Sequence, residues 1–420
     1  MSLTYIEALF YLGAGLAVLH VFVAGGFILR LLTARRTIPA DADCPSALVI
    51  LCLRGADPSL GNCLTGLLNQ NYPQFDVLIV VDDPADEAWQ AAHELVAANG
   101  ATNVRIEALR HRPTTCGLKC AALVQAWSQV DERYAVVATI DADVVPHSTW
   151  LRELVAPFAD PRVGAACGNR WYRPRPISWG AAVRYLWNAG AVVPMYWHGI
   201  AWGGTLALRS SVLRDTDYRD RVGRALCEDV MLRDVLRRAK LRLHFTPSLM
   251  LVNREDCTLA GFFHWMRRQT LIMKLYHSDS PAMLTHGLLC GAYLSVASVT
   301  LVAAAVVGDG IAVYGVGLGL GLFLASLLGP EPFMNAAVGR IVRRRGETLQ
   351  PYSWGEKSQL VAALPLTQLV YAAAVVTLLR ARLVEWRGIF YRVEGPLQIT
   401  RLNDGTYHAA EEDVATNRSL

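Results

Sequence analysis

Thr139-Ile-Asp-Ala-Asp-Val-Val-Pro146 places two carboxylates directly after a short apolar run. Tyr134 to Ile140 is apolar, rich in β-branched residues and unbroken, which suits a strand buried on both faces of a parallel sheet; Asp141 and Asp143 would then emerge at its carboxyl end. Open α/β sheets bind ligands at that edge. Two carboxylates there could hold a hard divalent cation through oxygen, and the cation could neutralise a diphosphate. A solvated turn has the same sequence, so the pair is weighed together with its companions.

Four companions fall at loops. Asp82 and Asp83 follow another apolar run, where an acid can accept hydrogen bonds from a nucleotide or simply cap the next helix. Gly117-Leu-Lys119 opens a helix, so the ammonium could touch a phosphate or could be a solvated surface charge. Glu228-Asp229 starts a stretch rich in Leu, Val and Arg; acids there suit a helix dipole, or supply a general base for a hydroxyl nucleophile. In His264-Trp-Met-Arg-Arg-Gln269 an arginine could bind a leaving diphosphate bidentately, or both could face lipid headgroups.

The elements that must position these residues alternate. Strands are expected at Ala47 to Leu53, Phe75 to Val81, Val104 to Ala108, Tyr134 to Ile140 and Val163 to Gly168. Helices are expected at Leu60 to Leu68, Asp86 to Ala98, Leu118 to Gln129, Thr149 to Phe158 and Asp229 to Lys240. That order predicts an α/β fold with a doubly wound, mostly parallel sheet. It contains no GxGxxG or P-loop fingerprint.

A membrane accounts for the rest of the composition. Of 420 residues 53% are hydrophobic, too many for an ordinary soluble enzyme. The net charge of +4 comes without a basic block interleaved with aromatics, which argues against nucleic acid as a partner. Nine scattered cysteines without a CxxC pair argue against a disulfide framework and a zinc site, and for a reducing compartment.

Residues 1–36 read as an uncleaved transmembrane anchor, with Arg30, Arg35 and Arg36 marking its cytoplasmic end. Residues 45–257 form the cytoplasmic domain, within which the aromatic stretch Ile177 to Trp202 suits a membrane interface. Residues 258–279 read as an amphipathic helix lying on anionic lipid. In 283–380, Met283 to Val307 and Ile311 to Leu328 form a spanning hairpin that turns at Gly308-Asp309-Gly310. Ser358 to Leu379 creates a parity problem, because a full crossing would put the arginines of 381–420 outside. Pro365 is therefore expected to break it into a re-entrant hairpin. Ala409 to Leu420 reads as disordered.

Taken in order, Asp83, Asp141-Ala-Asp143, Glu228-Asp229 and the Arg/Trp motif resemble a membrane-bound, family 2-type inverting glycosyltransferase. Closer resemblance is to the ceramide glucosyltransferases. It is carried by Pro45-Ser-Ala-Leu-Val-Ile, Arg54-Gly-Ala-Asp-Pro-Ser-Leu, Leu68-Asn-Gln-Asn-Tyr-Pro73 and Trp386-Arg-Gly-Ile-Phe-Tyr-Arg392, and spans Pro45 to Gly395.

The resemblance implies a type A nucleotide-sugar fold with added transmembrane and interfacial helices. It implies a UDP-sugar donor, UDP-glucose first, and Mn or Mg on Asp143 and Asp141. Asp82 or Asp83 would contact uridine, Lys119 would belong to the donor site, and Arg268 would face the diphosphate. Asp229, with Glu228, would activate the acceptor hydroxyl, and direct displacement would turn an α-linked donor into a β-glycoside.

The chain departs from the family signature where Trp265 and Gln269 flank Arg268, replacing the usual Gln or Arg and the usual Trp. That change concerns the acceptor: ceramide, or another lipid such as diacylglycerol or a hopanoid head group. A non-catalytic protein retaining the fold is the remaining alternative. Brevity and a lack of eukaryotic targeting signals make a bacterial inner membrane the expected location.

Overall fold

The computed structural model describes residues 1–378 and 381–404. Leu379, Arg380 and the polar stretch 409–420 therefore lie outside the described residues. The chain opens with α1 (Leu3–Leu32) and then alternates: β1 (Ala47–Leu53), α2 (Leu60–Leu68), β2 (Phe75–Val81), α3 (Glu87–Asn99), β3 (Val104–Ala108), α4 (Leu118–Trp127), β4 (Val136–Ile140), α5 (Trp150–Val155) and β5 (Val163–Tyr172). There follow α6 (Trp179–His198), β6 (Thr205–Arg209), α7 (Ser210–Asp215), α8 (Tyr218–Val222), α9 (Leu232–Arg238) and β7 (Arg242–Asn253). The remainder is α10 (Leu259–Tyr276), α11 (Ser280–Val307), α12 (Gly310–Leu328), α13 (Pro330–Arg343), α14 (Trp354–Thr377), β8 (Leu383–Trp386), β9 (Ile389–Gly395) and β10 (Gln398–Arg401).

Seven strands form one sheet in the order β3-β2-β1-β4-β6-β5-β7. It is mostly parallel, as expected, with β6 antiparallel to both β4 and β5. Alternate residues of β1 and β2 enter opposite cores: Leu48, Ile50, Leu78 and Val80 on one face, Val49, Leu51, Val77 and Ile79 on the other. The chain order reverses between β1 and β4, so the switch-point crevice opens at their carboxyl ends, where Arg54 and Asp141 emerge, with Asp82 beside them at the end of β2.

Several boundaries differ from expectation. Pro157 ends the helix after β4 early and leaves a 3-10 turn at Ala156–Ala159. The helix expected from Asp229 begins at Leu232, so Glu228 and Asp229 stand in the loop before it. β7 carries Pro247, which its place at the sheet edge permits. The register jumps from Phe245 to Met250, and Arg345 donates to the carbonyls of Ser248 and Met250 at 3.3 and 2.9 Å.

The loop that carries Asp141 and Asp143 is pinned at its far end, where Gln70 Nε2 donates to the His147 carbonyl at 2.8 Å. Burial, with Arg345 and Arg36 adding, pulls the His147 imidazole down to about 3. An unfolded histidine titrates near ~6.5, so this group's contribution to stability is complete above that pH and is lost as pH falls toward 3. By pH 5 the loss is at most about 2 kcal/mol. Between pH 7.5 and 5 the melting temperature of the native protein should therefore fall further than that of His147→Gln; equal falls would contradict the assignment.

Four helices among the described residues are long and apolar enough to cross a membrane: Leu3–Leu32, Ser280–Val307, Gly310–Arg343 and Trp354–Thr377. Outward residues such as Val18, Phe22 and Val306 are 71 to 81% exposed, as suits lipid-facing positions. α1 packs against α12 through small residues: a Cβ at Gly13 would lie 2.7 Å from the Gly319 carbonyl oxygen.

Three expectations about membrane segments need correction. α14 runs unbroken through Pro365. Near its start Gln359 Nε2 donates to the Ile177 carbonyl at 3.2 Å, and just past its end the Leu378 carbonyl accepts from Lys274 Nζ of α10 at 3.3 Å. In the aromatic stretch, Trp179 and Trp197 are half exposed, whereas Tyr185 and Trp202 are buried against protein. The apolar face of α10 is likewise turned inward, with Phe262, Trp265, Leu271 and Ile272 all buried.

Residues 381–404 fold back rather than trail away. β8, β9 and β10 make an antiparallel sheet whose hairpin turns at Arg387 and Gly388, both with positive φ, the conformation of a type I′ turn.

Candidate functional site

One cavity of about 610 Å³ has Arg54, Asp82, Lys119, Asp141, Asp143, Asp229, Trp265, Arg268 and Gln269 in its wall. Nearly all the residues singled out in the sequence thus converge. Asp83 is not in the wall; Arg112 bonds it from one side, and its Oδ1 accepts the Ala85 N–H at 2.9 Å, as a turn residue's would. Glu228 sits just behind the wall, 1% exposed.

Asp82 lies between Arg54 and Arg112, and its Oδ1 is buried without a hydrogen-bond partner. Burial raises its carboxyl above the ordinary range, partly offset by the two arginines.

Lys119 is neither a surface charge nor alone. Its Nζ stands 2.6 Å from Asp141 Oδ1 and 2.8 Å from Glu228 Oε1. Burial works against its charge, but the two carboxylates outweigh it and hold the ammonium well above the usual lysine range. Burial raises Glu228, and Lys119 opposes the rise.

Asp143 fits a metal ligand. Its Oδ1 is buried without a partner, while its Oδ2 accepts from Asn253 Nδ2 at 3.4 Å. Burial, with Glu255, Asp141 and Asp57 adding like charge, holds its carboxyl well above the ordinary range. A divalent cation between Asp143 and Asp141 would relieve that repulsion, and all the donors are hard oxygens suited to Mn or Mg.

Asp229 is held from two sides. Its Oδ2 accepts the Gly203 N–H at 2.9 Å and its Oδ1 accepts the Cys227 S–H at 3.1 Å. A Cβ at Gly203 would lie 2.3 Å from Glu228 Oε1, so a side chain there would push the Glu228 carboxylate aside. Burial and the two acids push the Cys227 thiol up, so it remains a donor.

Arg268 lines the cavity, while Arg267 stacks against Phe263 outside it. Burial pulls the Arg268 guanidinium down to about 10, which leaves it cationic at neutral pH. Gln269 occupies the position where the family signature has Trp, yet the Arg268 guanidinium lies 5.1 Å from the ring centroid of Trp386 in the carboxy-terminal sheet.

Sequence reasoning assigned no role to two parts of the site. Arg170, in β5, stacks on Trp265 at 4.8 Å and on Trp202 at 5.5 Å, and both it and Trp202 are in the wall. The carboxy-terminal sheet closes the site: Arg387 pairs with Asp57 at 3.1 Å, and Tyr391 Oη accepts the Leu118 N–H at 3.2 Å. The alternation of Tyr391-Arg-Val-Glu394, close after the Arg387-Gly388 turn, is the signal in the sequence that could have found this sheet.

No curated protein sequence matches the chain significantly. Among solved structures, a mannosyltransferase from Pyrobaculum calidifontis in complex with GDP-mannose and Mn2+ is 17% identical. That match covers 89% of this chain and 99% of the other, with a TM-score of 0.49. Glucosyl-3-phosphoglycerate synthase from Mycobacterium tuberculosis, in complex with Mn2+, UDP and phosphoglyceric acid, is 15% identical. It covers 59% of this chain and 79% of its own, with a TM-score of 0.36. The family model for glycosyl transferase family 21 matches residues 15–397, and the chain, with its seven-stranded type A sheet and this cavity, belongs to that family of sugar transferases.

Proposed function

We propose that the protein transfers glucose from UDP-glucose to the primary hydroxyl of ceramide, with inversion, giving β-glucosylceramide. The observation that supports this most is the continuity of the cavity, which reaches from Asp141 and Asp229 to Met283, Gly287 and Cys290 on the membrane helix α11. A two-tailed lipid can keep its chains among such helices while its hydroxyl reaches Asp229.

In this reading Asp82 binds the uridine, and Asp143 and Asp141 hold Mn or Mg, which supplies charge neutralisation to the diphosphate. Lys119 keeps Asp141 and Glu228 in place. Asp229 takes the proton of the acceptor hydroxyl as its oxygen bonds to the anomeric carbon. The bond from that carbon to the diphosphate breaks, its electron pair leaves on UDP, and the Arg268 guanidinium meets the developing charge. Attack opposite the leaving group inverts the anomeric centre.

The catalytic domain would face the cytoplasm of a bacterial inner membrane. Arg30, Arg35 and Arg36 at the carboxyl end of α1, and Arg343 to Arg345 at that of α13, support that orientation. Residues on either side of α14 bond the same domain, Gln350 through its carbonyl to Arg173 at 2.6 Å and Arg387 to Asp57 at 3.1 Å, so the unbroken helix would lie along the cytoplasmic membrane face rather than cross it, which removes the parity problem without a break at Pro365.

The reading is tested by incubating the purified protein with labelled UDP-glucose, UDP-galactose or UDP-N-acetylglucosamine and with ceramide or diacylglycerol, with and without EDTA. Labelled ceramide from UDP-glucose, lost in EDTA, is expected. Labelled diacylglycerol without labelled ceramide would move the acceptor to a glycerolipid, the change for which the Trp265 and Gln269 departure leaves room.

A further inference from the structure

Away from the carboxylates, the cavity wall carries three soft ligand atoms at one point between α1 and α11. His20 Nε2 and His286 Nε2 are 3.0 Å apart. Cys290 Sγ lies 3.5 Å from His286 Nε2 and 3.9 Å from His20 Nε2. Among the described residues this is the cluster whose ligand atoms all fall within 4.8 Å of one another. A tetrahedral ion with nitrogen at about 2.0 Å and sulfur at about 2.3 Å spaces its ligands at roughly 3.3 Å (N to N) and roughly 3.5 Å (N to S).

The surrounding hydrogen bonds prepare the lone pairs. The Ser326 hydroxyl gives its hydrogen to the Phe323 carbonyl at 2.7 Å, so its oxygen accepts from His20 Nδ1–H at 3.0 Å. With its proton on Nδ1, His20 turns a bare Nε2 toward the cluster, the outer-shell arrangement common to metal-bound histidines. His286 and Cys290 sit four residues apart on α11 and share a face. His20, Cys290 and Ser326 are each less than 10% exposed, and polar groups within spanning segments are costly to keep there without a function.

We propose that His20, His286 and Cys290 bind a thiophilic transition-metal ion, Cu(I) or Zn(II), with one coordination position open to the cavity. On binding, the Cys290 thiol releases its proton to cavity water and its sulfur bonds to the metal. His286 carries its ring proton on Nδ1, and two Nε2 lone pairs complete the protein's share. Charge favours Cu(I): one thiolate leaves the complex neutral, whereas Zn(II) keeps a net positive charge that needs an anion in the open position. The lone histidine of α1 lies far in sequence from its partners, which is why cysteine spacing alone argues against a zinc site. The assignment stands apart from the sugar chemistry, since none of the three residues takes part in it.

The test uses the full-length protein in nanodiscs, stripped of metal and titrated separately with Cu(I) and Zn(II) under a competing chelator, with X-ray absorption of the loaded protein. One equivalent of one ion is expected, with a sulfur and two imidazole nitrogens around it. Cys290→Ser should weaken binding more than tenfold, Ser326→Ala about 10- to 100-fold, and Asp143→Ala should leave it unchanged. Equal binding by the native protein and Cys290→Ser, or a loaded site without sulfur, would overturn the proposal. The absorption measurement on the native protein decides the matter even if a variant fails to fold.

Discussion

Asp229→Asn is expected to lower transfer by a factor of about 10²–10⁴, the usual contribution of a positioned general base, while UDP binding stays nearly intact. The substitution keeps the shape of the side chain, and its amide oxygen can still accept from the Gly203 N–H or the Cys227 S–H, so the loop has no reason to move. What is lost is a group able to take a proton. A titration of UDP into the variant separates the roles: native affinity with no turnover supports the base, and loss of UDP affinity would make Asp229 a donor ligand instead.

Asp143→Ala should lower the metal-dependent part of UDP affinity by more than about tenfold, or about 1.4 kcal/mol. The same change should leave the metal-free protein at least as stable at neutral pH. The folded Asp143 carboxyl titrates above its unfolded value, so its ionisation costs stability as pH rises through that range, and Ala removes the cost. Calorimetry with UDP, with and without Mn2+, together with a thermal melt of the apo variant, checks both. Unchanged metal-dependent binding would refute Asp143 as the ligand.

These two residues also show how far the sequence could be read. The first three strands lie where apolar runs predict them: β1 and β2 are largely buried on both faces, and β3, at the edge of the sheet, is half-buried. Asp141 follows from that regularity, since a strand that ends at Ile140 beside the switch point must deliver it to the crevice. β6 and β7 are harder to see. β6 is five residues long and antiparallel, and β7 holds a proline that only an edge position makes tolerable. The aromatic helix α6 and the apolar face of α10 looked like lipid contacts because a protein core and a bilayer select the same side chains. Only their tertiary partners tell the two apart.

The carboxy-terminal sheet carries the same lesson for the site. Arg268 lacks the tryptophan expected beside it in sequence, and the fold brings Trp386 to its guanidinium instead. A motif read along the chain counts neighbours in sequence; the cavity brings Arg268 and Trp386 together from α10 and β8, which lie far apart along the chain. Lys119 is a second case. Its contacts with Asp141 and Glu228 join three motifs that are separated along the chain, and its half-buried ammonium offsets the charge of two acids.

The central claim is a single displacement on a UDP-sugar with Asp229 as the base, and the configuration of the product tests it most directly. Proton NMR of the purified glycolipid made from UDP-glucose should show the anomeric proton of a β-glucoside. An α-glucoside would contradict direct displacement and remove Asp229 from the role assigned to it.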